Sequence, residues 1–406
     1  MRSSRRSKSI LIVQQYALPP SEPGGTRQFE LAQVFIERGW SPRILASDFT
    51  HLEKRNFRRS SPQDRSTMTV VEDGVPFTYL WVPPYERNNW RRTMSMGWFS
   101  IRAFGKVLRS SETVVYGSSP HIFGAFAAHV AARIRRRPFV FEVRDLWPEH
   151  LAAVDPSIEN SLLYRFVGVL ATHLYRKSAL VVIFAEGSRR VVVERGGSDD
   201  RIVVVSGSDV PERIERPRRE SGSPCRFVYL GSIGPMYGLD MVVDAWGAMQ
   251  ERGNRCSLTF IGDGPDRQRL QERAERLGLD NVTFRPPVPK DQIFNALAQF
   301  DVGILSFLPG EQFTFGISPQ KMFDYMAACL PIVSNVHGEI ATLIEDAGAG
   351  VTAPEQTAEG LARTLDAVVR AGEETWAPRE FGRTYLEHHA NRRAMVATLV
   401  DRIERI

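Results

Sequence analysis

Lys321 and Asp324 stand three residues apart in the segment from Phe315 to Val333, and between them they offer what a bound nucleotide asks of a protein. Ser318 is suited to cap a helix and Pro319 to fill its first position, so the spacing predicts a helix that starts here with its positive dipole end toward a ligand. Asp324 then falls near the second turn, where a carboxylate can accept hydrogen bonds from both hydroxyls of a ribose. Lys321 lies on about the same face and can meet a phosphate. A capped surface helix with an ordinary Lys–Asp pair would use the same residues.

Glycine-rich turns offer the other half of a phosphate site. The apolar run Ile10 to Val13 leads through Pro19, Pro20 and Pro23 to Gly24, Gly25, Thr26 and Arg27, and a helical pattern (Phe29, Leu31, Ala32, Phe35, Ile36) follows at once. A Gly-Gly turn feeding a helix presents unpaired backbone N–H groups to an anion such as a diphosphate. It is not the G-x-G-x-x-G fingerprint, and no acidic residue is clearly placed about 20 positions on, so hydride transfer loses its main support. A second turn, Gly231, Ser232, Gly234 and Gly238, follows Phe227 to Leu230. In open α/β sheets ligands bind outside the carboxyl ends of the strands, so two such edges facing each other would make a cleft.

These turns need a scaffold of strands, and the sequence supplies one. Short apolar runs alternate with amphipathic ones: Ile10–Val13, Pro42–Ala46, Val114–Tyr116, Phe139–Val143, Leu180–Ile183 and Val203–Val205, then Phe227–Leu230, Leu258–Ile261, Val282–Phe284, Val302–Leu305 and Ile332–Val333. That alternation predicts an α/β chain of two Rossmann-like, doubly wound domains. The expected boundaries are residues 1–209 for an acceptor domain, 210–224 for a charged, Pro-rich linker and 225–382 for a donor domain. Residues 383–406 are expected to form a helix that docks back on the first domain.

A length of 406 residues with 43% hydrophobic content suffices for two cores. The net charge of +5 is unevenly placed, since residues 1–145 carry 23 Lys and Arg against 12 Asp and Glu. Such a basic half suits nucleic acid, anionic lipid or a phosphorylated substrate. No apolar run is long enough to span a membrane, because Arg165, His173, Arg176 and Lys177 break the stretch from Leu162 to Leu180. The three cysteines, Cys225, Cys256 and Cys329, are far apart and fit a reducing cytosol better than a metal cluster. With no D-x-D pair, no metal is expected.

On a helical wheel Trp90, Met94, Trp98, Ile101 and Leu108 share one side, and Arg91, Arg92, Arg102, Lys106 and Arg109 the neighbouring one. Such a helix can lie at a membrane interface with basic groups on anionic head groups, or pack on a core with solvated arginines.

Taken together, the segment from Ser318 to Ala328, the run from Pro19 to Arg27 and the run from Glu142 to Glu149 resemble the family 4 retaining glycosyltransferases of GT-B fold. The specific likeness is to the fucosamine-transferase-like branch that builds bacterial O-antigen, colanic acid and capsule. The resemblance implies that Asp324 holds the ribose and that Ser318, Pro319 and Lys321, with Gly231 and Ser232, hold the diphosphate. Gly262, Asp263 and Gly264 would border the base, and Gly24, Gly25, Thr26 and Arg27 would close on the phosphates and sugar. Arg144 and Asp145 stand where relatives keep a His-Asp or similar pair. Asp145 is then a candidate base or sugar ligand, with Glu149 a turn beyond.

Two positions depart from the family. Its sugar-touching glutamate, eight residues before the ribose carboxylate, is here Gly316, with Glu311 nearby as the substitute. The Arg and Lys usual beyond the second glycine loop are absent, leaving Lys321, Arg27 or Arg144. The expectation is a metal-independent, cofactor-free transfer from a UDP- or GDP-sugar to a lipid-linked saccharide acceptor, by an enzyme peripheral on the inner face of the plasma membrane, without nucleic acid as partner. The weighed alternatives are a sugar-nucleotide epimerase and a non-catalytic sugar-nucleotide binder.

Overall fold

The computed structural model describes residues 8–22, 24–50, 54–59, 61, 63–86, 90–149, 152, 156–211, 214–217, 220, 222–253, 255–310, 313, 316–376 and 380–406. The chain divides into two compact units, Met1–Val205 with Arg393–Ile406, and Ser206–Arg392.

The first unit is built on β1 (Ser9–Val13), β2 (Ser41–Ser47), β3 (Met68–Glu72), β4 (Val75–Leu80), β5 (Val114–Ser118), β6 (Phe139–Val143), β7 (Leu180–Ile183) and β8 (Ile202–Val204). They form one sheet in the order β3-β4-β2-β1-β5-β6-β7-β8, parallel except for β3, which runs against β4. The central strands are buried along their whole length, as expected where helices cover both faces. One face packs on α2 (Trp90–Arg109), α3 (Ile122–Ile134), α4 (Leu162–Lys177) and α5 (Ser188–Glu194) through Phe99, Ala125, Leu170 and Val192. The other face packs on α1 (Arg27–Glu37) through Phe29, Leu31 and Phe35, while Ile36 of the expected apolar stripe is exposed.

The second unit has β9 (Arg226–Leu230), β10 (Ser257–Ile261), β11 (Val282–Arg285), β12 (Val302–Leu305), β13 (Ile332–Ser334) and β14 (Gly350–Thr352), all parallel in the order β11-β10-β9-β12-β13-β14. Its helices are α6 (Leu239–Glu251), α7 (Arg267–Arg276), α8 (Ile293–Leu297), α9 (Gln320–Ala327), α10 (Glu339–Asp346), α11 (Ala358–Arg370), α12 (Glu373–Trp376) and α13 (Phe381–His389). In both sheets the strand order reverses beside the first strand, at β1/β5 and at β9/β12, and such switch points open a crevice at the carboxyl ends.

All eleven apolar runs fall on strands, Val205 alone lying one residue past the end of β8, whereas β3, β4 and β14 had no such signal. Pro76 interrupts β4, β3 alternates between half-buried and exposed positions, and β14 has three residues. Part of the stretch read as linker lies against the second unit, where Arg216 donates to the Phe300 carbonyl at 3.1 Å and to that of Ala328. The C-terminal stretch is two helices, because Asn391 leaves the helical path to bridge with Ser208. Beyond it α14 (Arg392–Ile403) buries Val396, Leu399, Val400 and Ile403 in the first unit's core beside α1.

Candidate functional site

In the second unit the loop after β9 is clasped from two sides. Gly231 N–H donates to Ile261 O at 2.9 Å and Ile233 N–H to Asp263 O at 2.9 Å, fastening it to the loop after β10. This approach admits only glycine: a Cβ on Gly262 would stand 1.8 Å from Gly231 O, and one on Gly264 2.1 Å from Ile233 O. On the other side Ser306 Oγ donates to Tyr237 O at 2.8 Å, and Leu308 N–H to Met236 O at 2.9 Å. Asp263 turns its carboxylate back on its own loop, accepting from Gly264 N–H at 2.9 Å.

Lys321 and Asp324 do not pair with each other. The buried Lys321 ammonium donates to Tyr229 Oη at 2.5 Å and lies 3.9 Å from the Tyr229 ring centre and 4.2 Å from that of Tyr237. Tyr229 Oη in turn donates to Ser232 O at 2.7 Å. A Cβ on Gly231 would stand 3.3 Å from Lys321 Cε, so the ammonium lies directly under the glycine turn. It has no carboxylate partner among the described residues, and burial holds its pKa well below the usual lysine value.

Asp324 is held by residues that spacing could not supply. Its Oδ1 accepts from Lys290 Nζ at 2.8 Å, Ser208 Oγ at 3.1 Å and Gln320 Nε2 at 3.0 Å. Gln320 is fixed in turn by Arg392, which also donates to Gly207 O. Oδ2 takes none of these bonds. A single oxygen therefore anchors the side chain and leaves the other for a ligand.

The helix of the motif begins one residue later than the spacing predicts. Pro319 is extended (φ −70°, ψ 117°) and caps α9 without a side-chain bond, and Gln320 is the first helical residue. Ser318 is thus not the cap, and its hydroxyl has no protein partner among the described residues. Gly316 adopts φ 70° and donates its N–H to Glu339 Oε2 at 3.1 Å, so a carboxylate does lie at this position, brought by α10. Glu311 lies outside the described residues.

In the first unit Gly24 adopts φ 140° with a Cβ position 2.7 Å from Leu18, and the Arg144 guanidinium passes 3.7 Å from the Cβ position of Gly25. Gly25 and Arg144 are thus neighbours. Arg27 is not available to a phosphate, because its guanidinium is buried against Glu142 (2.7 Å), Val205 O (2.7 Å) and the Phe184 ring. Glu142 also accepts from Gln28 at 3.0 Å and from Ser118. Burial pushes the Glu142 carboxyl up, but Arg27 and Arg144, with these hydrogen bonds, hold it below the usual range. Thr26 is occupied by Glu30, its Oγ1 donating at 2.7 Å.

Arg144 and Asp145 follow β6 half-exposed, their backbone N–H groups both directed at Ser119 Oγ, at 2.7 and 3.3 Å. Glu149 is spent on Arg195. Among the described residues no group of three or more His, Cys, Asp or Glu can hold a metal ion.

The helix Trp90–Arg109 forms as the wheel predicts, and its apolar stripe is not its core face. Met96, Phe99, Ala103 and Val107 pack inward, while Trp90, Met94, Trp98 and Ile101 are exposed; Leu108 belongs with the core. Arg91 and Lys106 are exposed, Arg92 is half-buried, and Arg102 donates to Thr67 Oγ1 at 3.2 Å.

Comparison with known proteins agrees with this arrangement. The family described as "Glycosyl transferase 4-like domain" matches residues 24–207, and "Glycosyl transferases group 1" matches residues 224–371. A protein of Escherichia coli named as a colanic acid biosynthesis glycosyltransferase, WcaL, is 24% identical over 234 residues, 57% of this chain and 58% of that protein, so the matched segment spans less than two thirds of its length. A protein of Pseudomonas aeruginosa named as a glycosyltransferase, WbjE, is 21% identical over 303 residues, 70% of this chain and 74% of that one. The crystal structure of Anabaena HepE in complex with UDP and glucose superposes with a TM-score of 0.72 at 16% identity, covering 98% of this chain and 100% of that one. The two family models between them take in most of the sequence, and the chain belongs to the GT-B-fold glycosyltransferases, with a relative named for colanic acid biosynthesis.

Proposed function

We propose that the chain transfers a sugar from a nucleoside diphosphate sugar to a lipid-linked saccharide in cell-surface polysaccharide synthesis, with retention and without a metal ion. The observation that carries this reading is the pair formed by Lys321 and Asp324: a buried, carboxylate-free ammonium under a glycine turn, and one helical turn on, a carboxylate anchored through a single oxygen. A ribose diol fits the free Oδ2 of Asp324. The diphosphate fits Lys321, the free hydroxyl of Ser318 and the start of α9 past Pro319, with Gly231 and Ser232 giving close backbone approach. Gly262, Asp263 and Gly264 form the loop that would border the base.

As the bond from the anomeric carbon to the β-phosphate oxygen breaks, charge grows on that oxygen, and Lys321 is placed to stabilise it. The acceptor hydroxyl attacks from the same face and gives its proton to the departing phosphate, so no protein nucleophile takes part. In the first unit Gly24, Gly25 and Thr26 with Arg144 are assigned to the phosphates and sugar, and Asp145 to a sugar hydroxyl. Arg27 is assigned to shaping that loop, since Glu142 occupies it. Trp90, Arg91, Arg92, Trp98, Arg102 and Lys106 are assigned to the acceptor's lipid and diphosphate at the inner face of the plasma membrane. HepE, solved with UDP and glucose, supports a uridine donor as the first to test. The experiment is thermal unfolding with UDP-, GDP- and dTDP-sugars in chelator, for wild type and Asp324→Ala. Protection by one nucleotide family that the variant loses is the expected outcome; no protection by any sugar nucleotide would sink the reading.

A further inference from the structure

The exposed apolar residues of the first unit are not confined to the helix that the wheel singled out. Along α4, Leu162 is 82% exposed and Val169 65%, with Leu163 and Phe166 about half exposed between them. Leu162, Phe166 and Val169 recur at helical spacing on the side away from Val167, Leu170, Ala171 and Leu174, which enter the core. An apolar row of this size on water is unfavourable unless something covers it.

Charge indicates the kind of cover. The α3 helix packs between α2 and α4, and all three lie on the same face of the sheet, so their outer sides form one surface. The α2 helix carries five Lys or Arg, α3 one and α4 three, and none of the three carries an Asp or Glu. Arg135 and Arg136, both exposed, follow α3 directly. The aromatic groups of the surface are held in place from below: Phe166 stacks on Phe123 of α3 with ring centres 6.4 Å apart, and Trp98 meets Trp81 edge-on at 5.9 Å. None of the described helices is long and apolar enough to cross a membrane. A surface that is apolar in rows and whose three helices carry basic but no acidic side chains, with Glu159 exposed in the turn before α4, complements the head-group region of an anionic bilayer.

We propose that the outer face of α2, α3 and α4 is a membrane-docking surface, with Leu162, Phe166 and Val169 of α4 entering the head-group region beside the α2 row and the arginines of α3 and α4 lying on anionic lipid. This extends the reading of the acceptor as lipid-linked, and it makes α4 a second contact. Each basic group near such a surface is worth about 1 kcal/mol, about fivefold in partitioning, and the effect weakens with salt.

The test is flotation of the full-length protein with vesicles of phosphatidylcholine alone or with phosphatidylglycerol, for wild type, Leu162→Ser/Phe166→Ser/Val169→Ser, and Arg165→Gln/Arg176→Gln/Lys177→Gln. Wild type is expected to float with the anionic vesicles only. The apolar variant should partition at least about tenfold less, and the charge variant, lacking three basic groups at about fivefold each, should bind the anionic vesicles about a hundredfold less with a shallower salt dependence. Both should keep the wild-type unfolding temperature and donor protection, since all six substituted side chains are exposed and none is assigned to the donor. Vesicle binding unchanged in the apolar variant, equal binding to neutral vesicles, or nucleic acid bound in preference to any vesicle would each overturn the proposal. Absence of donor protection in wild type would count against the transferase reading alone, because flotation is read without any sugar nucleotide.

Discussion

A lysine taken out of water and given two aromatic faces and a hydroxyl, but no carboxylate, is an expensive group to keep, and Lys321 is that group. Its pKa is depressed in the folded chain by burial. The unfolded chain therefore binds more protons between the two pKa values, so the cost to stability is full below the folded value and vanishes above the unfolded one. Lys321→Met is expected to unfold at higher temperature than wild type near neutral pH while losing diphosphate protection. Because a bound diphosphate raises the lysine's pKa again, donor binding should take up protons at pH values between the free and the bound pKa, measurable by calorimetry in buffers of different ionisation enthalpy, and affinity should fall as pH rises through that window. Glu142 has the opposite sign: its lowered pKa contributes stability at neutral pH that is lost as pH falls through the folded value. Glu142→Ala, which strands Arg27, should cost about 3–5 kcal/mol in denaturant unfolding. Asp324 and Lys321 were legible in the sequence because their chemistry sits within one helical turn. Lys290, Ser208 and Arg392 were not, since they reach Asp324 from segments far along the chain. Arg27 was misread for a related reason, because residue type does not reveal which way a guanidinium turns.

At the level of elements, the glycine turns carry the most exacting geometry. Gly262→Ala would drive a Cβ into Gly231 O. The loop must separate, at about 1–3 kcal/mol by the usual cost of overpacking, and donor protection should weaken with it. Gly278→Ala, with open space around its Cβ, is the comparison for a glycine without such contact, although its φ of 64° adds strain. The buried strands were readable because two-sided burial writes a continuous apolar run, whereas the edge strands β3 and β14 lack one. The start of α9 was misplaced by one residue because Pro319 has the φ of a first helical residue and the ψ of an extended one. On α3 and α4, His129 and His173 approach Nε2 to Nε2 at 3.3 Å, with Arg133 and Lys177 nearby. Burial lowers the pKa of both, that of His129 to about 4. Their neutral forms are favoured in the fold, so stability should fall between the unfolded value of about 6.5 and about 4, and His129→Phe should flatten that part of the stability profile.

At the level of the whole chain, α14 ties the C-terminus into the first unit's core through Val396, Leu399, Val400 and Ile403. Truncation before Arg393 should therefore destabilise the first unit while the second still binds nucleotide. The overall architecture was legible because the alternation of strand and helix restarts midway. Position of the change between units was not, because charge and proline content mark a linker without showing what it lies against. Calorimetric titration of wild type, Asp324→Ala and Lys321→Met with a UDP-sugar in chelator, each variant first shown to be folded, tests whether Asp324 and Lys321 hold a sugar nucleotide without metal. Saturable binding to wild type alone is predicted; undiminished binding in both variants, or binding only after a divalent ion is restored, would contradict the account.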